Sequence, residues 1–356
     1  MIHDIIFLIL GLALLVVGAN YVTDGAVAVA RRFKVSNLMI GLTVVALGST
    51  LPDIVVCVES AFQDKPALAM GEVIGANIFD LLLVVGIMGI VRPMKVSGIM
   101  RRQDLPILFI ASAALWIAGD SILFDHASHN VIDRSSGLML IVIFVFYMWF
   151  MILTTGKSGD PDDEGDEMGA DPAPAADKTA NTGIVAAHSA RAELRILKSK
   201  VSELKGKQWF SWILIVIGLG ALVIGGNWVV DGASGLALKI GMSQAMVALT
   251  VVAIGNALPD LVTSVTATVK GASGLALGNI VGSCVINALL TIGLSSLVIP
   301  LRADSIGFVD FITLVGAAAL LWIVPSVLKS KSIGRVFGVI LALLYVAYMV
   351  FTVIRG

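Results

Sequence analysis

Apolar residues in this chain do not alternate with polar ones. They run on for 18 or more positions and are then cut by short polar connectors. A helix of about 20 apolar residues crosses roughly 30 Å of hydrocarbon, so the pattern predicts an all-α polytopic membrane protein. Ten transmembrane helices are expected, at about 4–31, 37–62, 69–91, 103–119, 134–154, 209–238, 243–269, 275–298, 306–325 and 333–353. The opening segment "MIHDIIFLILGLALLVVGAN" lacks the basic region and small-residue cleavage site of a secretory signal and is read as the first span. One long polar segment, 155–208, separates a first half, 1–154, from a second, 209–356.

The two halves are copies. An offset of 207 residues aligns them without a gap from Gly11/Gly218 to Gly86/Gly293. Along it fall Asn20/Asn227, Asp24/Asp231, "LTVVA" at 42–46 and 249–253, Leu51-Pro52-Asp53 over Leu258-Pro259-Asp260, Gly71/Gly278 and Gly75/Gly282. Five spans per half is an odd number, so the halves are expected to insert with opposite orientation. Two inverted five-helix repeats place an ion site at the midplane between helices 2, 3, 7 and 8.

Composition agrees: 58% of residues are hydrophobic and 14% charged, against about a quarter charged in soluble domains. Of the 24 lysines and arginines, 19 gather on one side of the predicted topology, the side that carries the long segment. Positive charge marks the cytoplasmic face, so both termini are expected outside and 155–208 inside. That segment joins an acidic run, "DPDDEGDE", to a basic amphipathic stretch, 190–207. It reads as a largely disordered linker with a helix lying on anionic lipid; a calcium sensor would need a folded domain to fix its ligands. No nucleic-acid partner is suggested by a net charge of −1, and no phosphate-cradling loop or cofactor pattern is present. Cys57 and Cys284 both fall within spans, which argues against a structural disulfide.

The informative residues are those out of place. Asp53, Asp80 and Asp260 lie well inside spans, with Asn287 at the position of Asp80 in the second copy. A charge at a helix centre is disfavoured by about 2.5–3.5 kcal/mol on insertion scales, and such residues mark ion pathways. No lysine or arginine lies at comparable depth, so the compensating charge is expected from outside, as a cation or as protons. Pro52 and Pro259 give no N–H to the carbonyls of Gly48 and Gly255. A bent, loosely wound segment is therefore expected at each proline. It would present carbonyls, a carboxylate and short polar side chains: Ser49 and Thr50 in one copy, Asn256 in the other. Such oxygen donors suit hard cations, Ca²⁺ and Na⁺, rather than zinc, copper or iron. The facing "GEVIGANIFD" (71–80) and "GNIVGSCVIN" (278–287) carry glycines four apart that favour close helix approach. They bring Asp80, and Ser283 with Asn287, to the bent segments.

"GSTLPD" with "GEVIGANIFD", and "GNALPD" with "GNIVGSCVIN", resemble the α-repeats of the sodium/calcium exchanger family, within the cation/Ca²⁺ exchanger superfamily. With the ten-span layout, the resemblance covers nearly the whole chain. It implies a secondary-active antiporter of the prokaryotic type, exchanging Ca²⁺ for Na⁺ by alternating access in an inner (plasma) membrane. It implies Ca²⁺ held at Asp53 and Asp260, and flanking Na⁺ sites at the positions of Ala46, Ser49, Thr50, Ala76, Ala253, Asn256, Ala257 and Ser283. Asp80 and Asn287 match the acid or amide positions of the third and eighth spans. The first and sixth spans are expected to slide across the rest. No cofactor beyond the transported ions and no oligomer is required.

This chain departs from the family pattern. Asp53 and Asp260 stand where glutamate is usual, and Ala76 and Ala257 where hydroxyls are common. The acid of the Asp80/Asn287 pair sits in the first repeat rather than the second. These changes bear on the counter-ion, and a Ca²⁺/H⁺ antiporter using the same carboxylates is the rival reading. Glu59 and Glu72, near the ends of their spans, read either as solvated interfacial acids or as part of an access vestibule. Asn20/Asp24 and Asn227/Asp231 read as packing or interface features rather than ion ligands, and His3, His126, His129 and His188 as surface residues. From another class, two intramembrane aspartates could be an aspartyl protease, but its Gly-x-Gly-Asp signature is absent and the gapless repeat is unneeded by it. A channel fits an occluded cage less well than an antiporter does.

Overall fold

The computed structural model describes residues 2–33, 36–62, 66–120, 130–155, 208–239, 257–302, 307–327 and 332–355. Its helices are α1 (Ile2–Phe33), α2 (Ala46–Phe62), α3 (Pro66–Ile78), α4 (Leu105–Gly119), α5 (Arg134–Thr155), α6 (Gln208–Lys239), α7 (Leu258–Val269), α8 (Ser273–Ile286), α9 (Phe308–Val327) and α10 (Arg335–Arg355). Among the described residues seven helices are long and apolar enough to cross a membrane. The helices α2, α4 and α7 are shorter, at 17, 15 and 12 residues. The predicted linker 155–208 lies, but for its two end residues, outside the described residues.

Burial sorts these helices by position. Every residue of α8 from Leu275 to Ile286 is buried, the mark of a helix surrounded by others rather than amphipathic at a surface. By contrast, α5 exposes Val145, Phe146 and Trp149, and α10 exposes Val336 and Leu343, each by more than half. Large apolar side chains left bare along a whole helix face have hydrocarbon as their natural solvent. The protein is an integral membrane protein.

Glycine sets how closely the helices approach. A Cβ on Gly11 would stand 2.8 Å from the carbonyl oxygen of Gly225, and one on Gly18 2.8 Å from that of Gly218. Only hydrogen fits there, so α1 and α6 touch backbone to backbone. The two contacts interchange when each residue is replaced by its copy 207 positions away. The same exchange holds at the centre, where Asn77 Nδ2 donates to the carbonyl of Cys284 at 3.1 Å and Cys284 Sγ lies 4.0 Å from the carbonyl of Asn77.

Three wide π-helical turns shape the region near the repeated motifs. They cover Gly41–Val45 before α2, Phe79–Val84 after α3 and Asn287–Thr291 after α8. A π turn inserts one residue more than the α ladder holds and re-aims the side chains around it, and such turns are common at functional sites. The expected loosening at Pro52 is not where the sequence placed it, and the stretch 253–256 before Pro259 lies outside the described residues. α2 runs as an α-helix from Ala46 through Pro52 to Phe62, and the irregularity lies upstream at Gly41–Val45. One missing N–H removes a single ladder bond, which a helix packed on its neighbours survives. In the second copy Pro259 lies in the first turn of α7, where its N–H would have no partner anyway.

Candidate functional site

The motif residues meet where α2, α3, α7 and α8 converge. From α2, Ser49 and Thr50 donate back to the carbonyl of Ala46, at 3.1 and 2.9 Å. Gly282 of α8 lies against Ala46, since a Cβ on Gly282 would come within 2.6 Å of that of Ala46. Glycine at 282 thus seats α8 on α2 and puts Ser283 opposite Ser49, with the two hydroxyl oxygens 3.2 Å apart. Both hydroxyls flank the Asp260 carboxylate. Gly278 packs in the same way on Leu38 and Gly41. For Gly71 and Gly75 no described residue comes within 4 Å; the copies of Leu38, Leu42 and Ala46 fall at 245, 249 and 253, outside the described residues.

The three aspartates come together. Asp80, buried in the wide turn after α3, faces Asp260 of α7 closely enough for their carboxyl groups to share a hydrogen bond. The charges of Asp53 and Asp260 act on each other, and both act on Asp80. Asn287 Nδ2 donates to Asp53 Oδ2 at 3.1 Å, and Thr291 Oγ1 donates to Asn287 Oδ1 at 3.2 Å. Under the 207 offset, Asn287 on Asp53 is the copy of Asp80 on Asp260. Among the described residues no lysine or arginine pairs with Asp53, Asp80 or Asp260; the ion pairs lie elsewhere, Lys239 with Asp4 and Lys270 with Asp24. Asp80 Oδ1 is buried without a hydrogen-bond partner. An unpaired carboxylate oxygen in such surroundings is costly.

Two residues unremarked in the motifs belong here. Asn279 is fully buried; it donates from Nδ2 to Asp260 Oδ1 at 3.0 Å and to Ser264 Oγ at 3.2 Å, and accepts from Ser49 at 3.4 Å. Glu72, its copy in the first half, was expected near a span end with solvent or a vestibule around it. The residue is partly exposed, its Oε2 is buried, and its charge acts on Asp53 and Cys57. The offset carried the signal: whatever touches Asp260 in one half has a counterpart near Asp53 in the other. Asn256 and Ala253 lie outside the described residues, as does the side chain of Glu59. Ala76 is half-buried and Ala257 buried. Asp24 takes its ion pair with Lys270 at 2.9 Å, an interface contact away from the acids.

Among the described residues no group of three His, Cys, Asp or Glu side chains is already closed around a metal position. The donors are mixed: carboxylates, amides, hydroxyls and the Ala46 carbonyl. A model of the family described as sodium/calcium exchanger protein matches residues 3–153 and 210–354. The chain belongs to the sodium/calcium exchanger family. It is 26% identical to the sodium/calcium exchanger MaX1 of Methanosarcina acetivorans, over 98% of this chain and 97% of that protein. It is also 26% identical to the inner membrane protein YrbG of Escherichia coli, over 94% and 92%. Among solved structures, the sodium-calcium exchanger NCX_Mj soaked with zero Na⁺ and Ca²⁺ matches with a TM-score of 0.76 and 26% identity, over 98% of both chains.

Proposed function

We propose that this family member is a secondary-active antiporter exchanging Ca²⁺ for Na⁺ by alternating access, and that the converging acids are its cation site. The observation that carries the reading is Asp80 Oδ1, buried and unpartnered beside Asp260, with Asp53 also in electrostatic reach and no described lysine or arginine paired to any of them. Asp53, Asp80 and Asp260 supply charge for the divalent ion, Asn287 supplies an amide, and Ser49, Thr50, Asn256 and Ser283, with the carbonyls of Ala46 and Ala253, supply neutral oxygens for Na⁺. MaX1 and NCX_Mj, both named as sodium–calcium exchangers, support the choice of ions.

The site is the meeting point of ten spans in two inverted five-helix halves, 1–154 and 209–356. Reciprocal contacts such as Gly11 with Gly225 and Gly218 with Gly18 support that arrangement. The 155–208 linker is cytoplasmic and both termini are outside, on the lysine and arginine distribution, in a prokaryotic inner membrane. The glycine seam between α1 and α6 leaves these two helices as a pair that slides over the rest. Because each ion set fills the same carboxylates, only one is carried at a time, and the cation-free site, rich in unbalanced charge, is the state least suited to crossing.

Coupling to protons is the second reading, and one observation favours it: two carboxyl groups, Asp80 and Asp260, already face each other as a proton-sharing pair would. Radiolabelled Ca²⁺ uptake into proteoliposomes decides between them. Uptake driven by an outward Na⁺ gradient, and lost in Asp53→Asn, is the expected result. Uptake driven only by an outward H⁺ gradient would hand the site to protons, and no uptake under either would end the antiport reading.

A further inference from the structure

Positions 72 and 279 are copies, as are 80 and 287, and in both pairs the first half holds the acid and the second the amide. Taken by sequence, that puts three of the four acids, Asp53, Glu72 and Asp80, on one half and looks lopsided. In space it is balanced. Asp260 meets the carboxyl of Asp80 from the other half and the amide of Asn279 from its own. Asp53 meets the amide of Asn287 from the other half, and the charge of Glu72 from its own acts on it. Glu72 holds Oε2 buried on a residue that is otherwise half-exposed, and its carboxylate also acts on Cys57, one turn beyond Asp53. Asn279, the copy of Glu72, bonds Asp260 and Ser264, the copies of Asp53 and Cys57, and the buried Oε2 sets Glu72 in the same way against α2. Asp80 is 1% exposed with Oδ1 unpartnered, so this cluster is a buried set of acids rather than a solvated acidic surface.

We propose that Glu72 is a cation ligand, and that each central carboxylate works with one further acid and one amide: Asp53 with Glu72 and Asn287, Asp260 with Asp80 and Asn279. The inference rests on the antiport reading and adds to it a fourth carboxylate and a rule for where acids are tolerated. The rule concerns the count beside each central carboxylate, not the sequence position that supplies it. An acid at 287 therefore replaces an acid at 72.

The test is equilibrium Ca²⁺ titration of the full-length purified protein by calorimetry, in sodium-free choline buffer, with monodispersity checked by gel filtration. Glu72→Gln is expected to weaken Ca²⁺ binding about tenfold, since affinity of oxygen sites follows ligand charge. Glu72→Asn with Asn287→Asp, which returns one acid and one amide to Asp53, is expected to come back to within about threefold of wild type. Wild-type binding with an unchanged Glu72→Gln would overturn the role of Glu72 alone, and an unrescued double variant would overturn the balance rule. No binding by the wild type would overturn the antiport reading and this inference with it. Should Glu72→Gln fail to fold, Asn287→Asp decides: binding at least about fivefold tighter supports a charge-counting site at Asp53, and unchanged binding overturns it.

Discussion

The hydroxyls of Ser49 and Ser283, one from each half of the chain, stand 3.2 Å apart beside the Asp260 carboxylate. Both bond that carboxylate, and Ser49 also reaches the carbonyl of Ala46 and the amide oxygen of Asn279. Neutral oxygens of this kind contribute more, in proportion, to a monovalent ion than to a divalent one held mainly by carboxylates. Ser283→Ala is expected to raise the half-saturating Na⁺ concentration about three- to tenfold, as losing one neutral hydrogen-bonding group costs about 0.5–1.5 kcal/mol. The half-saturating Ca²⁺ concentration should move less. Flux measured against each ion in turn checks the split, and an equal change for both ions would remove the serine from the sodium site.

Asp80 makes a sharper case, because the proposed cation site and the stability of the cation-free fold should pull on it in opposite directions. Its Oδ1 is buried with no hydrogen-bond partner, and it faces a second carboxyl. Asp80→Asn removes the repulsion and keeps the shape, so the cation-free protein should unfold at a higher temperature while Ca²⁺ transport falls by an order of magnitude or more. Ligand linkage gives the companion result: at a hundredfold excess over Kd, Ca²⁺ stabilises a protein by about 2.7 kcal/mol. Wild type should show that upward shift in a thermal melt with added Ca²⁺, and Asp80→Asn should lose most of it. A variant less stable than wild type in cation-free buffer would contradict the account.

Gly282 carries the geometry rather than the chemistry. A Cβ there would meet the Ala46 Cβ at 2.6 Å and the Leu42 carbonyl oxygen at 2.7 Å. Backbone cannot yield as a flexible side-chain tip can, so Gly282→Val must push α8 off α2. Overpacking of this kind costs about 1–3 kcal/mol. Here it also separates Ser283 from Ser49, and the expected outcome is reduced Ca²⁺ uptake beyond what the loss of folded protein explains. Gly316→Ala is the control, because nothing lies within 4 Å of a Cβ at that position. Uptake per folded molecule, normalised by gel filtration, distinguishes the two.

How far the sequence shows this site depends on which interaction is asked about. Hydrophobic runs gave most helices, because a span has one overriding requirement. The offset of 207 pointed to Asp53, Asp80, Asp260 and Asn287, because an acid in an apolar run has few structural uses. The wide turns at 41–45, 79–84 and 287–291 were not visible, since a π turn differs from an α turn by one residue and has no composition of its own. Glu72 stood between two readings for a related reason. Position along a span reports depth, whereas the packing of α3 on α2 decides which way the side chain faces. Asn279 passed unnoticed because a lone asparagine in a helix reads as neutral until its partner, nineteen residues earlier on α7, is known.

Two tyrosines test the same physics away from the ions. Tyr348 OH donates to Asp310 Oδ1 at 3.0 Å, while the backbone N–H of Gly307 donates to Oδ2 of the same carboxylate at 2.8 Å. Tyr147, on α5 as Tyr348 is on α10, lies within electrostatic reach of Asp104, yet its hydroxyl is buried without a hydrogen-bond partner, as is Asp104 Oδ2. Removing a hydroxyl that satisfies a carboxylate leaves the acceptor short and costs about 1–3 kcal/mol, whereas removing one that satisfies nothing is close to neutral. Tyr348→Phe should therefore lower the melting temperature of the purified protein clearly, and Tyr147→Phe should leave it unchanged or raise it. Equal destabilisation by both would mean that the Tyr147 hydroxyl is bonded in the working protein, through a water or by a closer approach to Asp104.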